Sequence, residues 1–366
     1  MMHRRDYLLG AIAAGLAPCG VLAQPMADGL GARLARTVGR REKVAGMVAV
    51  VIDGNETRLA SYGSSGVAGL DLDGNALFET MSVTKIFTSL LLAEMVGRGE
   101  LAFDDPVAKY LPVAPPVRGR PITLWDLASY RSGLTLNLSA DWGGYDGLTE
   151  AGIFAFLSNH VPRHAPGTHY EYANFAFGLL GIALSRRAGR SYEALLVERI
   201  LRPLDLDHTR ITLADDMPRR LVQGHDVDLK PVARWSVPAM PGMASLCSTA
   251  KDLTTFLKVC MGLTPSPLAE PLALLLKTRG ATSLAGTDTG LGWFITSQGG
   301  EDIVWKSGLG GGCNTFIGFS RQKARGVILL SNFIWRPIDV GTITMGMQWI
   351  KPDFHRVDFG ALYPFF

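Results

Sequence analysis

Short runs of apolar and β-branched residues near both ends of the chain constrain the fold more than any other feature of the sequence. Near the N-terminal end, Met47 to Ile52 and Thr57 to Tyr62 flank Asp53-Gly54-Asn55, which predicts a strand, a tight turn and a strand. Similar runs near the other end are separated by glycines and polar turns: Gly292 to Ile295, Ile303 to Lys306, Thr315 to Phe319 and Val327 to Leu330. The pattern predicts that both ends of the chain join one antiparallel sheet.

The middle of the chain has a different periodicity. Most of residues 85–280 show helical spacing, interrupted by frequent proline and glycine. A chain of 366 residues is long enough for about two lobes. We therefore expect an α/β (α+β) fold in which about residues 24–80 and 286–366 form one lobe. A mainly helical lobe, about residues 81–285, would be inserted between them, with the active site at the junction.

Residues 1–23 have the composition of an export signal. Arg4 and Arg5 precede an uncharged run that is too short and too interrupted to span a membrane, and Val21-Leu22-Ala23 is typical of a signal cleavage site. The arginine pair is also typical of twin-arginine signals. We expect the mature chain to begin near Gln24, to act in the periplasm and to contain no integral membrane segment.

Charge and residue spacing exclude several classes of function. The formal net charge is only +3, and no lysine and arginine block is interleaved with aromatic residues, so a nucleic-acid partner is not expected. No cysteine or histidine pair has the spacing of zinc ligands, and we expect neither a metal nor another cofactor. A monomer is expected, and a chain of this length does not need disulfides for its stability.

A serine three residues before a lysine on a helix places both side chains on one face, where the amine can take the hydroxyl proton. This pattern occurs three times in the chain, and the local context separates the copies. Ser82 and Lys85 open an apolar helix that should end at Gly97 or Gly99. Ser82 is therefore expected at a helix N-terminus, where backbone N–H groups favour a developing anion.

The other two copies of the pattern have ordinary structural explanations. Ser248 and Lys251 flank a predicted capping box, in which the side chains of Thr249 and Asp252 each accept a hydrogen bond from the backbone N–H of the other residue. Ser320 with Lys323 lies in a polar turn between two predicted strands.

Two further polar motifs lie beside predicted elements. Tyr172 and Asn174 form the only Tyr-x-Asn among nine tyrosines and precede a helical run, and Lys306, Ser307 and Gly308 follow a predicted strand. Taken alone, such a tyrosine is more often a packing residue, and such a lysine more often protects a sheet edge from aggregation. The small residues after the strand also let a ligand or another backbone approach its edge.

In this order, Ser-x-x-Lys, Tyr-x-Asn and Lys-Ser-Gly resemble the motifs of the class C serine β-lactamase and penicillin-binding protein family, which includes DD-peptidases and related esterases. The resemblance covers roughly residues 40 to 335, and the segments WKSGLGGGCNTFIGF and YGSSG are most similar to AmpH-type D-alanyl-D-alanine carboxypeptidase/endopeptidases. It implies an antiparallel five-stranded sheet flanked by helices. It also implies a hydrolase without a cofactor whose substrates are β-lactams or peptidoglycan peptides.

The resemblance implies a catalytic role for several of these residues. Ser82 would attack an amide or lactam carbonyl, and either Lys85 or Tyr172 would take its proton, a choice that the sequence leaves open. The backbone N–H groups of Ser82 and Leu309 would form the oxyanion hole.

Substrate binding is implied for a second group of residues. Asn174 would orient the catalytic lysine and the substrate amide. Lys306 and Ser307 would receive the substrate carboxylate, and Gly308 would keep the strand edge accessible. Asn137, in the segment RSGLTLN, lies near where family members place an amide side chain against the substrate.

Other functions remain as alternatives. Within the family, the chain could be an esterase or a penicillin-binding sensor that is acylated without turnover. Lys306 favours a substrate that carries a carboxylate, because related esterases often lack this lysine. A Ser-His-Asp hydrolase is not supported, since Gly-x-Ser-x-Gly is absent and the adjacent His225 and Asp226 cannot fold onto each other in triad geometry.

Overall fold

The computed structural model describes residues 29–134, 147–277, 280–334 and 340–355. The α-helices in these ranges are α1 (Leu30–Val38), α2 (Thr84–Gly97), α3 (Leu124–Ala128), α4 (Glu150–Asn159), α5 (Asn174–Ala188), α6 (Tyr192–Leu196), α7 (Met217–Arg220), α8 (Ala250–Met261), α9 (Ala269–Lys277) and α10 (Val340–Ile350). Short 3₁₀ turns lie at Gly39–Arg41, Met81–Val83, Val107–Tyr110, Arg202–Leu204 and Pro241–Met243, and a π-helical turn lies at Val197–Leu201.

The strands form one large sheet and one small sheet. They are β1 (Gly46–Asp53), β2 (Glu56–Gly63), β3 (Leu77–Glu79), β4 (Cys247–Thr249), β5 (Gly280–Ala281), β6 (Thr287–Thr289), β7 (Phe294–Gln298), β8 (Glu301–Gly310), β9 (Cys313–Ser320) and β10 (Arg325–Ser331). The large sheet has the order β2-β1-β10-β9-β8-β7-β6-β5, and all neighbouring strands are antiparallel. β3 and β4 pair separately, also antiparallel.

The predicted antiparallel α/β fold is confirmed, but the expected strand number is wrong. The large sheet contains eight strands among the described residues, where five were expected. The apolar runs of the sequence correspond to β1, β2 and β7 to β10. β5 and β6, at one edge, contain only two and three residues, so they carry no apolar run that could mark them in the sequence.

β1 is the strand through which the two ends of the chain meet. It pairs with β2 on one side and with β10 on the other, so that Val50 lies opposite Leu59 and Ile328. Near the centre of the sheet, every residue of β9 is buried. Helices therefore cover both faces of the sheet, with α10 and α8 both packed against β9.

The helical prediction for most of residues 85–280 needs a correction. The stretch from residue 205 to residue 246 contains only α7 and the Pro241–Met243 turn. This stretch contains four prolines, which remove backbone donors and clash with a continuing helix. The stretch is mostly irregular, and its Pro241–Met243 turn packs against α2 and α5.

α2 carries Lys85 and α5 begins at Asn174, and both helices are buried nearly all round. Every residue of α2 from Thr84 to Met95 is buried, and so is every residue of α5 from Phe175 to Leu184. A helix that is enclosed on all sides belongs to the protein core. Residues at the starts of these helices are consequently held on rigid elements.

Two observations concern cysteine and the membrane. Cys247, Cys260 and Cys313 are buried free thiols. No helix within the described ranges combines the length and the apolar character needed to cross a membrane.

Asn332 joins three backbone segments just after β10. Its side chain is fully buried, and Oδ1 accepts a hydrogen bond from the Gly46 N–H at 2.7 Å. Nδ2 donates to the Ser64 carbonyl at 3.2 Å and to the Gln223 carbonyl at 3.0 Å. One amide thus ties β1 and the chain after β2 to the irregular segment beyond α7.

We expect Asn332→Ala to lower the free energy of unfolding by about 2–4 kcal/mol, because it leaves buried backbone groups without partners. Urea unfolding measures the change. Asn159→Ala is the matched control: Asn159 is exposed, and its amide donates to the Ala155 carbonyl within α4. The control should change stability by less than about 0.5 kcal/mol, and equal losses in both variants would contradict the role of Asn332.

Candidate active site

Ser82 lies in the short 3₁₀ turn between β3 and α2. Its neighbour Met81 has a φ of +48°, which a residue with a side chain adopts only when the surrounding structure enforces it. Gly308 on β8 faces this turn, and a Cβ at Gly308 would lie 2.2 Å from the Thr80 carbonyl oxygen. Only glycine allows β8 to approach the backbone around Ser82 so closely.

Lys85 follows Ser82 by one helical turn, and its side chain has no solvent exposure. Its Nζ lies 2.9 Å from Ser82 Oγ and donates to the Met243 carbonyl at 2.8 Å. Burial, together with the charge of nearby Lys306, holds the pKa of Lys85 well below its usual range. A lowered pKa makes it easier for the amine to lose its proton, and a neutral amine is a proton acceptor.

Tyr172 reaches the same serine from the start of α5. Its hydroxyl donates to Ser82 Oγ at 2.8 Å, so Ser82 contacts both candidate bases. The Tyr172 ring stacks on Tyr130, with a centroid distance of 5.0 Å and an interplanar angle of 18°. The Nζ atoms of Lys85 and Lys306 lie 5.2 Å and 5.0 Å from the Tyr172 ring centroid, within the range of cation–π attraction.

Lys306, Ser307 and Gly308 lie within β8, which continues beyond the strand end expected from the sequence. Pairing with β7 stops at Trp305, so from Lys306 onward β8 has a strand neighbour only on the β9 side. Lys306 is fully buried, and its Nζ lies 5.0 Å from the Phe294 ring centroid. This lysine therefore does not protect a solvent-exposed sheet edge; it faces the site.

Of the three remaining sequence candidates, two lie in elements beside this cluster and one lies outside the described residues. Asn174 is the first residue of α5, two positions after Tyr172, and is half-buried. Leu309 lies in β8 opposite Asn314. Asn137 lies outside the described residues. The structure therefore brings together Ser82, Lys85, Tyr172 and Lys306, from three separate parts of the sequence.

Sequence reasoning missed two residues of the site. Met243 contributes only its backbone carbonyl, and a carbonyl leaves no signal in the residue type. Tyr130 supports the Tyr172 ring and has a φ of +61°, rare for an aromatic residue. A partial signal is present, because the segment ITLWDLASYRSGL around this tyrosine is also similar to the family.

The structure agrees with the ordinary explanation of the second Ser-x-x-Lys pattern. The Asp252 N–H donates to Thr249 Oγ1 at 3.0 Å, which caps the N-terminus of α8. Ser248 Oγ lies 2.8 Å from Thr209 Oγ1 in the interior. In the third pattern, Ser320 ends β9 and Lys323 lies in the following turn.

His225 and Asp226 do not form part of a catalytic triad. His225 Nδ1 lies 3.1 Å from the Asn332 carbonyl oxygen. Asp226 Oδ1 accepts hydrogen bonds from the backbone N–H groups of Asp228 and Lys230 and so closes a local loop. Across the described ranges, no group of three or more His, Cys, Asp and Glu side chains is arranged to hold a metal ion.

The lowered pKa of Lys85 predicts a pH-dependent stability. Between the folded-state pKa and the ordinary lysine value of about 10.4, the unfolded chain binds more protons than the folded chain, so stability increases with pH. Lys85→Met removes this contribution. We expect the difference in unfolding free energy, wild type minus Lys85→Met, to rise by up to about 1.4 kcal/mol per pH unit in that window.

Urea unfolding of both proteins at a series of pH values measures this difference. Lys251→Met is the control, because Lys251 is exposed and its replacement should leave the pH dependence unchanged. A difference between wild type and Lys85→Met that stays constant with pH would show that Lys85 titrates normally.

Comparisons with known proteins agree with this geometry. The profile of the family described as Beta-lactamase matches residues 31–333. The chain is 29% identical, over 310 residues, to the D-alanyl-D-alanine-carboxypeptidase/endopeptidase AmpH of Escherichia coli K12, covering 78% of each protein. It is 27% identical, over 334 residues, to a beta-lactamase of Pseudomonas fluorescens, covering 80% of this chain and 90% of that protein.

Solved structures share the fold. A beta-lactamase/D-alanine carboxypeptidase from Pseudomonas syringae superposes with a TM-score of 0.76 at 20% identity, over 88% of this chain and 98% of the other. D-alanine carboxypeptidase AmpC from Burkholderia cenocepacia gives a TM-score of 0.75 at 22% identity, over 88% and 97%. The sequence profile, which spans most of the chain and includes all the clustered residues, identifies this protein as a member of the beta-lactamase family.

Proposed function

We propose that the protein is an exported serine hydrolase that forms an acyl-enzyme at Ser82 with amides that carry a carboxylate. The substrates would be β-lactams, D-Ala-D-Ala peptides of peptidoglycan, or both. One observation carries the proposal: the hydroxyl of Ser82 lies within 2.9 Å of a buried amine and within 2.8 Å of a tyrosine hydroxyl. Such an arrangement activates a serine without a histidine.

In the acylation step, Ser82 Oγ bonds to the carbonyl carbon while its proton moves to Lys85 or Tyr172. The carbon–nitrogen bond then breaks, and the same proton passes to the leaving nitrogen. The lowered pKa of Lys85 supports a neutral amine as the base. The nearby ammonium of Lys306 would also favour a Tyr172 phenolate, so the two groups are proposed to share the proton.

The developing oxyanion would be held by the backbone N–H groups of Ser82 and Leu309. The contact between β8 and the serine turn supports this assignment, since a Cβ at Gly308 would lie 3.1 Å from the Ser82 backbone nitrogen. Removing one such donor typically costs about 10²- to 10³-fold in rate. Water would then hydrolyse the acyl-enzyme and restore the Ser82 hydroxyl.

Lys306 and Ser307 are proposed to bind the substrate carboxylate, and Asn174 the substrate amide. Lys306 is a fully buried cation at the strand edge next to the nucleophile, which suits an anionic group beside the scissile bond. A neutral ester would gain nothing from this charge. The named relatives include both a carboxypeptidase/endopeptidase and a beta-lactamase, consistent with one acylation site for both substrate classes.

Export and organisation complete the proposal. Residues 1–23 would direct the chain to the periplasm and be removed. The mature protein would act there as a monomer, with no cofactor. Its α/β lobe would comprise about residues 24–80 and 286–366, and its helical lobe about residues 81–285.

Ser82→Ala is the direct test of the nucleophile. We expect the variant to lose hydrolysis of a chromogenic cephalosporin and of a D-Ala-D-Ala peptide by at least about 10⁴-fold, because no acyl-enzyme can form. Ser320→Ala, in another Ser-x-x-Lys pattern, is the matched control and should keep full activity. Retained hydrolysis in Ser82→Ala would exclude the proposed mechanism.

The lifetime of the acyl-enzyme separates the candidate activities. Labelled penicillin that leaves Ser82 within seconds would indicate a lactamase, whereas label that persists for hours would indicate a peptidase or a non-turnover sensor. Turnover of a D-Ala-D-Ala peptide then distinguishes the last two. Each result assigns a different rate to the step in which water attacks the acyl-enzyme.

Lys306→Ala tests carboxylate recognition. We expect kcat/KM for a carboxylate-bearing substrate to fall about 10²-fold or more, and kcat/KM for a neutral short-chain ester to fall much less. Lys251→Ala, at an exposed site on α8, controls for the general loss of a positive charge. Equal losses on both substrates would remove the recognition role and favour the esterase alternative.

A further inference from the structure

The position of the Lys85 amine depends on the segment Met240–Met243, because the Met243 carbonyl accepts a hydrogen bond from Nζ at 2.8 Å. This segment crosses behind the site between α2 and α5. Its contact with α5 is close: a Cβ at Gly178 would lie 2.5 Å from Met240 Cε, and one at Gly181 would lie 3.2 Å from Gly242 Cα. Any shift of the segment would move the partner of the amine.

Within the segment, Pro241 is partly exposed, whereas Met240, Gly242 and Met243 are buried. Pro241, together with Pro238, Ala239 and Tyr192, lines an open cavity of about 960 Å³. Packing from the cavity side therefore contributes little to fixing Pro241. The contacts of the segment with α2 and α5 matter more for its position.

Two buried hydroxyl groups, those of Thr88 and Tyr192, form hydrogen bonds next to the segment. Thr88 Oγ1 donates to the Gly242 carbonyl at 2.6 Å and lies 2.7 Å from the Tyr192 hydroxyl oxygen. A threonine hydroxyl has one proton, and the short contact to Gly242 uses it, so Tyr192 is the donor in the second bond. Burial raises the pKa of Tyr192, which keeps its hydroxyl protonated.

Thr88 and Lys85 are neighbours on one face of α2, three residues apart. Thr88 binds the carbonyl of Gly242 and Lys85 binds the carbonyl of the next residue, Met243. One helix therefore holds two successive carbonyls with two side chains. The bond from Thr88 fixes the distance between the Met243 carbonyl and α2 itself, and hence the place at which the amine is held.

We propose that Thr88 and Tyr192 are positioning residues that hold Met240–Met243 so that the Met243 carbonyl keeps the Lys85 amine against Ser82. This inference rests on the proposed acyl transfer at Ser82. Neither residue touches the serine; both act through the backbone carbonyl that binds the amine. Their loss would leave the fold and the carboxylate site in place and would misplace the proton acceptor.

Thr88→Val tests the proposal, because valine has nearly the shape of threonine and lacks the hydroxyl. We expect acylation by labelled penicillin, measured as kcat/KM, to fall about tenfold. A carbonyl acceptor favours the charged amine, so weakening this contact lowers the pKa of Lys85 and should move the acid limb of the pH profile to lower pH. The charged and titratable groups facing the amine, Lys306 and Tyr172, are unchanged in the variant.

Two further variants make the comparison specific. Thr88→Ser keeps the hydroxyl and should recover most of the wild-type rate and the wild-type acid limb. Thr254→Val removes a hydroxyl that donates to the Ala250 carbonyl within α8 at 2.6 Å, away from the site, and should change neither. Loss of a hydroxyl that served stability alone would lower the melting temperature without moving the pH profile.

The outcomes are distinguishable. Thr88→Val with the wild-type kcat/KM and pH profile overturns the proposal. If Thr88→Val does not fold, Tyr192→Phe is used instead. We expect its kcat/KM for acylation to fall about threefold and the acid limb of its pH profile to move to lower pH. An unchanged pH profile in Tyr192→Phe would equally overturn the proposal. A wild-type protein that acquires no label on Ser82 contradicts the proposed function itself.

Discussion

Two lysine side chains enclosed beside one tyrosine ring determine how the rest of the site is built. Lys85 and Lys306 are both fully buried, and both point their Nζ atoms toward Tyr172. Burying two like charges side by side is expensive unless one of them gives up its proton or both find strong partners. The structure meets this constraint by lowering the pKa of Lys85 and by placing both amines against aromatic rings. The amine of Lys85 also contacts the Ser82 hydroxyl and the Met243 carbonyl.

Keeping these groups together requires backbone segments to lie closer than side chains would allow. Gly308 lets β8 meet the turn that carries Ser82, and Gly242 lets the irregular segment pass between α2 and α5. At Met81 the backbone takes a left-handed conformation that costs of order 1–3 kcal/mol. The burial of nearly every residue of α2 and α5 offsets these local costs. Two rigid helices therefore lie next to the strained turn.

The parts of the structure that the sequence predicted are those in which residue type determines position. Apolar runs marked the long strands, and Ser82 and Lys85 were placed on one helical face because three-residue spacing leaves few other outcomes. β5 and β6 were not predicted because they contain only two and three residues, and Met243 was not predicted because a backbone carbonyl has no signature in the sequence. The stretch from residue 205 to residue 246 is mostly irregular, and its Pro241–Met243 turn packs against α2 and α5, which are distant in the sequence. No local sequence pattern indicates such a contact.

Lys306 has two proposed effects, and their relative size matters for catalysis. It would bind the substrate carboxylate, and its charge also lowers the pKa of Lys85. A carboxylate bound at Lys306 would cancel much of that repulsion and would by itself return Lys85 toward its charged form. Burial, however, is the larger cause of the lowered pKa, and it does not depend on the charge of Lys306. Substrate recognition at Lys306 would therefore leave Lys85 able to accept the proton of Ser82, and the two proposed roles are compatible in one enclosed site.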